Sequence, residues 1–129
     1  MKCIEKKESV VHDFCENKIE ELGLKDHVYF AGKVNDEKMA ECLNAADIYI
    51  TTSQSDGTSA SMLEAMACGL PVIVSNAPAY YEWVEDGVNG FIVPRGDSEA
   101  LTKHLCVLLS NQKLCSKMGQ RNLQIARQL

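Results

Sequence analysis

Residues 70–76 read "LPVIVSN", and this stretch limits the fold more than any other in the chain. A strand with one wet face alternates apolar and polar residues, but Val72, Ile73 and Val74 are apolar in succession. That run predicts a strand of a parallel sheet covered on both faces. "DIYITTS" (47–53) and "GFIV" (90–93) predict two more strands. "HVYFAG" (27–32), short, β-branched and aromatic, predicts a further one.

Helical patterns fill the intervals. From Glu5 to Leu22, the residues Val11, Cys15, Ile19 and Leu22 recur at helical spacing, and Gly23 stands where a helix C-terminal glycine belongs. "NDEKMAECLNAA" sets Met39, Leu43 and Ala46 on one face behind an Asn/Asp cap. "SASMLEAMACG" is a helix closed by Gly69, and "AYYEWVEDG" predicts a short helix ending at Gly87. Two last helices carry Leu101, Leu105 and Leu108, then Leu114, Met118, Ile125 and Leu129. Strands alternating with helices give an α/β class: a doubly wound parallel sheet, Rossmann-like, with right-handed crossovers. At 129 residues one domain, 1–129, is expected. A doubly wound domain opens on a buried central strand, whereas this chain opens on a helix, "MKCI" being too short and polar for that strand. The sheet is therefore expected to lack its first strand, and the open edge to favour self-association.

Composition removes several functional classes. Lys and Arg number 13 against 18 Asp and Glu, a net charge of -5, and no basic cluster exceeds "EKK", so nucleic acid is not an expected partner. No apolar run approaches the roughly 18 residues of a membrane span, and the charged "MKCIEKKESVVHDFCENK" is not a secretory signal. Cys3, Cys15, Cys42, Cys68, Cys106 and Cys115 form no C-x-x-C pair and no ligand spacing with histidine, so no metal site is expected. They read as free, buried, cytosolic thiols.

The chemistry concentrates between Asp56 and Glu64. "TTSQSDGTSAS" is a loop leaving a strand for a helix, the place where open α/β sheets bind ligands. Gly57 permits a tight turn or a close backbone approach, and the amides of Thr58, Ser59, Ala60 and Ser61 are expected to be first-turn donors at the positive end of a helix. Such an end suits a phosphate. The same residues allow a structural reading, in which Ser61-Met62-Leu63-Glu64 is a capping box and Asp56-Gly57 an ordinary turn. No G-x-G-x-x-G, P-loop or Ser/His/Asp pattern competes.

The longer stretch "SDGTSASMLEAMACGLPVIVSN", with "LGLKDHVYFAGKV" before it and "YYEWVEDGVNGFIVPRGDSEAL" after it, resembles the C-terminal, donor-binding domain of the family 4 retaining glycosyltransferases (glycosyl transferases group 1). That family has two Rossmann-like domains facing across a cleft, the GT-B fold. Its pattern is an acidic residue, Gly, six residues and Glu, continuing L-E-A-M-A-x-G-x-P-V-I; here it runs from Asp56 and Gly57 to Glu64 and on to Ile73. The resemblance covers about Glu16 to Asn111.

The resemblance implies that Glu64 accepts hydrogen bonds from ribose hydroxyls, and that Asp56 contacts the donor sugar. It implies that amides around Thr58 to Ser61 face the sugar and diphosphate, and that backbone at Val34 meets the base. Two departures are visible. Asp56 is one methylene shorter than the family's usual Glu, and "DGTSAS" lacks its Gly-Phe-Gly run, so the sugar hydroxyl reached stays open. The family's Arg and Lys for the diphosphate belong to the absent strand and loop, and its cleft His to the other domain. Lys6, Lys7 and His12 do not take those roles, and no catalytic residue is assigned within this chain. His27 and His104 read as a loop and a helix-surface residue, Trp83 and Tyr80-Tyr81 as packing, and Glu82 as a secondary support near the donor.

The resemblance thus implies the donor half of a cytoplasmic glycosyltransferase of polysaccharide or glycoconjugate biosynthesis. It would transfer a hexosyl unit with retention from a nucleoside-diphosphate sugar to a saccharide or lipid acceptor, using no cofactor or metal. Its expected partners are the nucleotide sugar and a missing N-terminal acceptor domain, which supplies any contact with the inner membrane face. The alternative is a non-catalytic interaction or regulatory module, which the short Asp56 favours and the intact Glu64 disfavours.

Overall fold

The computed structural model describes residues 9–52 and 60–129. The chain divides into two compact units, Met1–Met39 and Ala40–Leu129.

In the first unit, helix α1 (Ser9–Glu21) stops at Gly23, whose φ of +69° only glycine adopts freely. The Leu24 amide returns 2.9 Å to the Ile19 carbonyl, as at a glycine-terminated helix end. His12 lies 3.0 Å from Glu16 and packs its ring on Phe30, with centroids 4.6 Å apart. A 3₁₀ turn, Lys25–His27, leads to residues 28–35, where the predicted "HVYFAG" strand does not form. The backbone at Val28 is extended (φ -128°, ψ 131°), but among the described residues no neighbouring strand pairs with it. Extended, β-branched backbone becomes a strand only when a neighbour takes its amides and carbonyls. Asn35 then caps helix α2 (Asp36–Ala45), its Oδ1 accepting from the Lys38 amide at 2.8 Å.

In the second unit the strands β1 (Tyr49–Thr51), β2 (Val72–Ser75) and β3 (Gly90–Val93) form a parallel sheet in the order β1-β2-β3. Helices α3 (Ala60–Ala67), α4 (Ser98–Leu109) and α5 (Gln112–Arg127) flank it. The pairing Tyr49–Val72–Gly90 and Ile50–Ile73–Phe91 puts alternate residues on opposite faces. Tyr49, Val72, Val74 and Ile92 pack with Met62 and Met66 of α3 and with Tyr80. Ile50, Ile73, Phe91 and Val93 pack with Leu101, Leu105 and Leu108 of α4 and Met118 of α5. Helices thus cover both faces, and the apolar run of β2 is buried throughout, as a Rossmann-like sheet requires.

Two close approaches fix the helices. A side chain on Gly90 would stand 2.3 Å from the Val72 carbonyl oxygen, so only glycine opens β3 at this register. A side chain on Gly119 would stand 2.1 Å from the Gly69 oxygen, so α5 crosses the end of α3 backbone against backbone. Gly69 itself has φ +74° and closes α3, with the Leu70 amide returning to Ala65 at 3.2 Å. Asp97 and Asn111 cap α4 and α5, each accepting from an amide three residues on at 3.0 Å.

A buried asparagine pair locks the turn before β3. Asn122 Nδ2 donates to the carbonyls of Leu70 (2.7 Å) and Asn89 (2.9 Å), and its Oδ1 accepts from Asn89 Nδ2 at 2.9 Å. Asn89 also donates to the Trp83 carbonyl and accepts from the Glu85 amide, both at 2.8 Å. These bonds explain why the helix expected over "AYYEWVEDG" is a 3₁₀ segment, Pro78–Glu82, that stops early. The backbone groups that would extend it are bonded to Asn89 instead.

The cysteines also depart from expectation. All five described ones are free, but none is fully buried, and Cys42 and Cys106 are exposed. Cys115 packs against the cluster of Ile73, Leu108 and Met118, whereas Cys42 and Cys106 face solvent.

Candidate functional site

Because the three strands are parallel, their carboxyl ends share one edge, where open α/β sheets gather ligands. Thr51 ends β1 and Thr52 follows it, Ser75 ends β2 and Asn76 follows it, and Pro94 and Arg95 follow β3. Asn76 Oδ1 accepts from the Arg95 amide at 3.0 Å and ties two of these exits together. The Tyr80 hydroxyl, buried beneath the edge, lies 3.5 Å from Thr51 Oγ1.

Helix α3 begins at this edge. Met62, Ala65 and Met66, at i, i+3 and i+4, are fully buried and anchor it to the sheet. Glu64 falls off that stripe and is exposed, and its carboxylate has no hydrogen bond or ion pair among the described residues. Ala60 and Ser61 are the first two residues of α3, where amides have no partner within the helix. Ser61 lies inside the helix, not before it, so it does not act as the N-cap of a Ser61–Glu64 capping box. The arrangement offers backbone donors at a helix start with a free carboxylate one turn further on.

Asp56, Gly57, Thr58 and Ser59 lie outside the described residues. Val34 belongs to the first unit, half-buried in the irregular segment just before the Asn35 cap. Of the aromatic trio, Tyr80 is wholly buried and Trp83 half-buried against the core, while Tyr81 is 60% exposed. Glu82 is exposed at the end of the 3₁₀ segment. His27 is exposed in its turn, and His104 on α4 holds the Ala100 carbonyl through Nδ1 at 2.8 Å and packs on Phe91.

Burial first, and the Asp47 carboxylate second, push the Cys115 thiol above its ordinary value, and its Sγ donates to the Leu108 carbonyl. It is a protonated packing group at neutral pH, not a nucleophile. Among the described residues no group of three His, Cys, Asp or Glu side chains is arranged to hold a metal ion. No helix among them is long and apolar enough to cross a membrane.

Residues 11–124 match the family model described as glycosyl transferases group 1. The chain is 34% identical over 107 residues to the putative glycosyltransferase EpsD of Bacillus subtilis, covering 83% of this chain and 28% of that protein. It is 38% identical over 93 residues to a phosphatidyl-myo-inositol mannosyltransferase of Mycobacterium leprae, covering 71% and 25%. The chain therefore spans about a quarter of the length of these curated relatives. Among solved structures it superposes on Anabaena HepE in complex with UDP and glucose with a TM-score of 0.85 at 28% identity, over 95% of this chain and 33% of that one. It superposes on the C-terminal domain of LpcC, a group 1 glycosyl transferase from Francisella tularensis, with a TM-score of 0.87 at 27% identity, over 95% and 64%.

Proposed function

The chain belongs to the glycosyl transferases group 1 family, and on that premise we propose that it is the donor-binding domain of a retaining glycosyltransferase that takes its sugar from a nucleoside diphosphate. The whole protein passes a hexosyl unit from that donor to a saccharide or lipid acceptor, without a metal. Glu64 accepts from the ribose hydroxyls, since a carboxylate satisfies a vicinal diol with charge-assisted bonds. Amides from Thr58 to Ser61 meet the diphosphate at the start of α3, and Asp56 meets the sugar. A leaving diphosphate gathers charge as the glycosidic bond breaks, and fixed donors at a helix end stabilise that charge without reorganising. Backbone near Val34 meets the base. The remaining groups for turnover come from an acceptor domain, with this chain orienting the donor.

One observation carries the reading: Glu64 stands exposed and unpaired among the described residues, on a helix whose opposite face is locked into the core at the ligand-binding edge of the sheet. The neighbour HepE, which holds UDP and glucose, supports it.

Calorimetric titration of the chain with UDP, GDP and ADP tests this, beside Glu64→Gln. One nucleotide should bind saturably, and the substitution should weaken it by about 1.5–3 kcal/mol, roughly tenfold to a hundredfold. No binding by a folded chain, or equal affinity in the variant, would overturn it.

A further inference from the structure

A cleft of about 570 Å³ opens between the 3₁₀ segment Pro78–Glu82, the turn before β3, and α5. Of its lining residues only Glu82 is one that the resemblance sets near the donor, in a supporting role, and none is among those proposed to hold it. Its volume falls within the roughly 300–1,000 Å³ of small-molecule sites. Trp83, Ile92 and Ile125 supply apolar surface, and Glu82, Glu85 and Arg121 supply charge.

The indole nitrogen of Trp83 is buried and has no hydrogen-bond acceptor among the described residues. A buried tryptophan N–H usually finds a partner, and leaving one unpaired costs about 1–3 kcal/mol. An occupant that reaches the covered indole must supply two things together: an acceptor for its N–H, and donors for the carboxylates that line the cleft. A lysine or arginine side chain donates but accepts nothing, and a phosphate accepts but is repelled by Glu82 and Glu85. A hydroxyl both donates and accepts. The apolar surface of Trp83, Ile92 and Ile125 suits the C–H face of a pyranose ring. We propose that this cleft is a saccharide-binding subsite, in which Trp83 and the two isoleucines meet the ring while Glu82, Glu85 and Arg121 bond its hydroxyls. The N–H is covered in the present arrangement, so entry of the sugar rotates a lining side chain, a rotamer-scale adjustment common on binding.

Trp83 is the only tryptophan of the chain, so its indole N–H resonance and its fluorescence report on this one cleft-lining residue. The 129-residue chain is titrated with maltotriose, mannotriose and chitotriose, and in parallel with trilysine. At least one trisaccharide should shift the indole resonance saturably in about the millimolar range. Glu82→Ala and Arg121→Ala, both at exposed positions, should each weaken it at least about fivefold. Saturating UDP should leave the response unchanged, which separates this site from the donor reading whether or not UDP binds. No response to any of the sugars, a response to trilysine alone, equal affinity in both variants, or loss of the response with UDP would each overturn the proposal.

Discussion

Val72–Ser75 and residues 28–31 are both short, β-branched or aromatic stretches, yet the first is buried throughout while the second is irregular and carries a tyrosine 63% exposed. The difference is not in propensity. Strand β2 has β1 on one side, β3 on the other and helices over both faces, so its backbone groups are paired and its side chains enclosed. Residues 28–31 have no ladder partner among the described residues. Burial and pairing by neighbours, more than the residues themselves, make a strand.

Substitutions in the two stretches should separate them sharply. Ile73→Ala removes a fully buried side chain and should cost about 3–4 kcal/mol in urea denaturation. Asn122→Ala, which leaves the carbonyls of Leu70 and Asn89 without their donor, should cost about 2–3 kcal/mol. Val28→Ala, at a half-buried and unpaired position, should cost less than about 1 kcal/mol, and a loss equal to that of Ile73→Ala would erase the contrast.

The smallest effect concerns pH. Cys115, on the α4 side of the sheet, is held above its ordinary thiol value by burial and then by Asp47. Below that ordinary value both folded and unfolded chains keep the proton, and the stabilisation is fully present. As pH rises from there through the raised folded value, the unfolded chain releases its proton first and stability falls. Urea midpoints at pH 7 and at about pH 9.5 should show that fall, smaller in Cys115→Ala. An identical fall in the variant would assign it to other groups.

Much of the sheet was legible because its signals are local. The Val72-Ile73-Val74 run, Gly69 after α3 and the leucines of α4 each state their role within a few residues. The motif that sets Glu64 in the helix following β1 was legible for the same reason, and the structure adds that its exposed carboxylate has no partner among the described residues. What the sequence hid depends on residues far apart. Asn89 and Asn122 bond across 33 positions, and nothing in "VNGF" or "QRNLQ" announces a shared network. That network ended the helix expected through "AYYEWVEDG". The bond from Asn76 to the Arg95 amide spans 19 positions and was equally silent, although both residues follow predicted strands. Gly119 passed as one residue of an amphipathic helix, because its meaning lies in the carbonyl it faces.

The meeting of Gly119 with Gly69 also limits how this chain can drift. When two side chains touch, growth of one is commonly offset by shrinkage of the other, and lineages wander along such paired exchanges. Here one partner is a bare helix residue and the other a backbone oxygen, both already at the smallest size available. No second-site change at the joint restores room for a methyl group at 119. Change must come by moving α5 as a whole, which would disturb the Asn122 bonds three residues on and the end of the helix that carries Glu64.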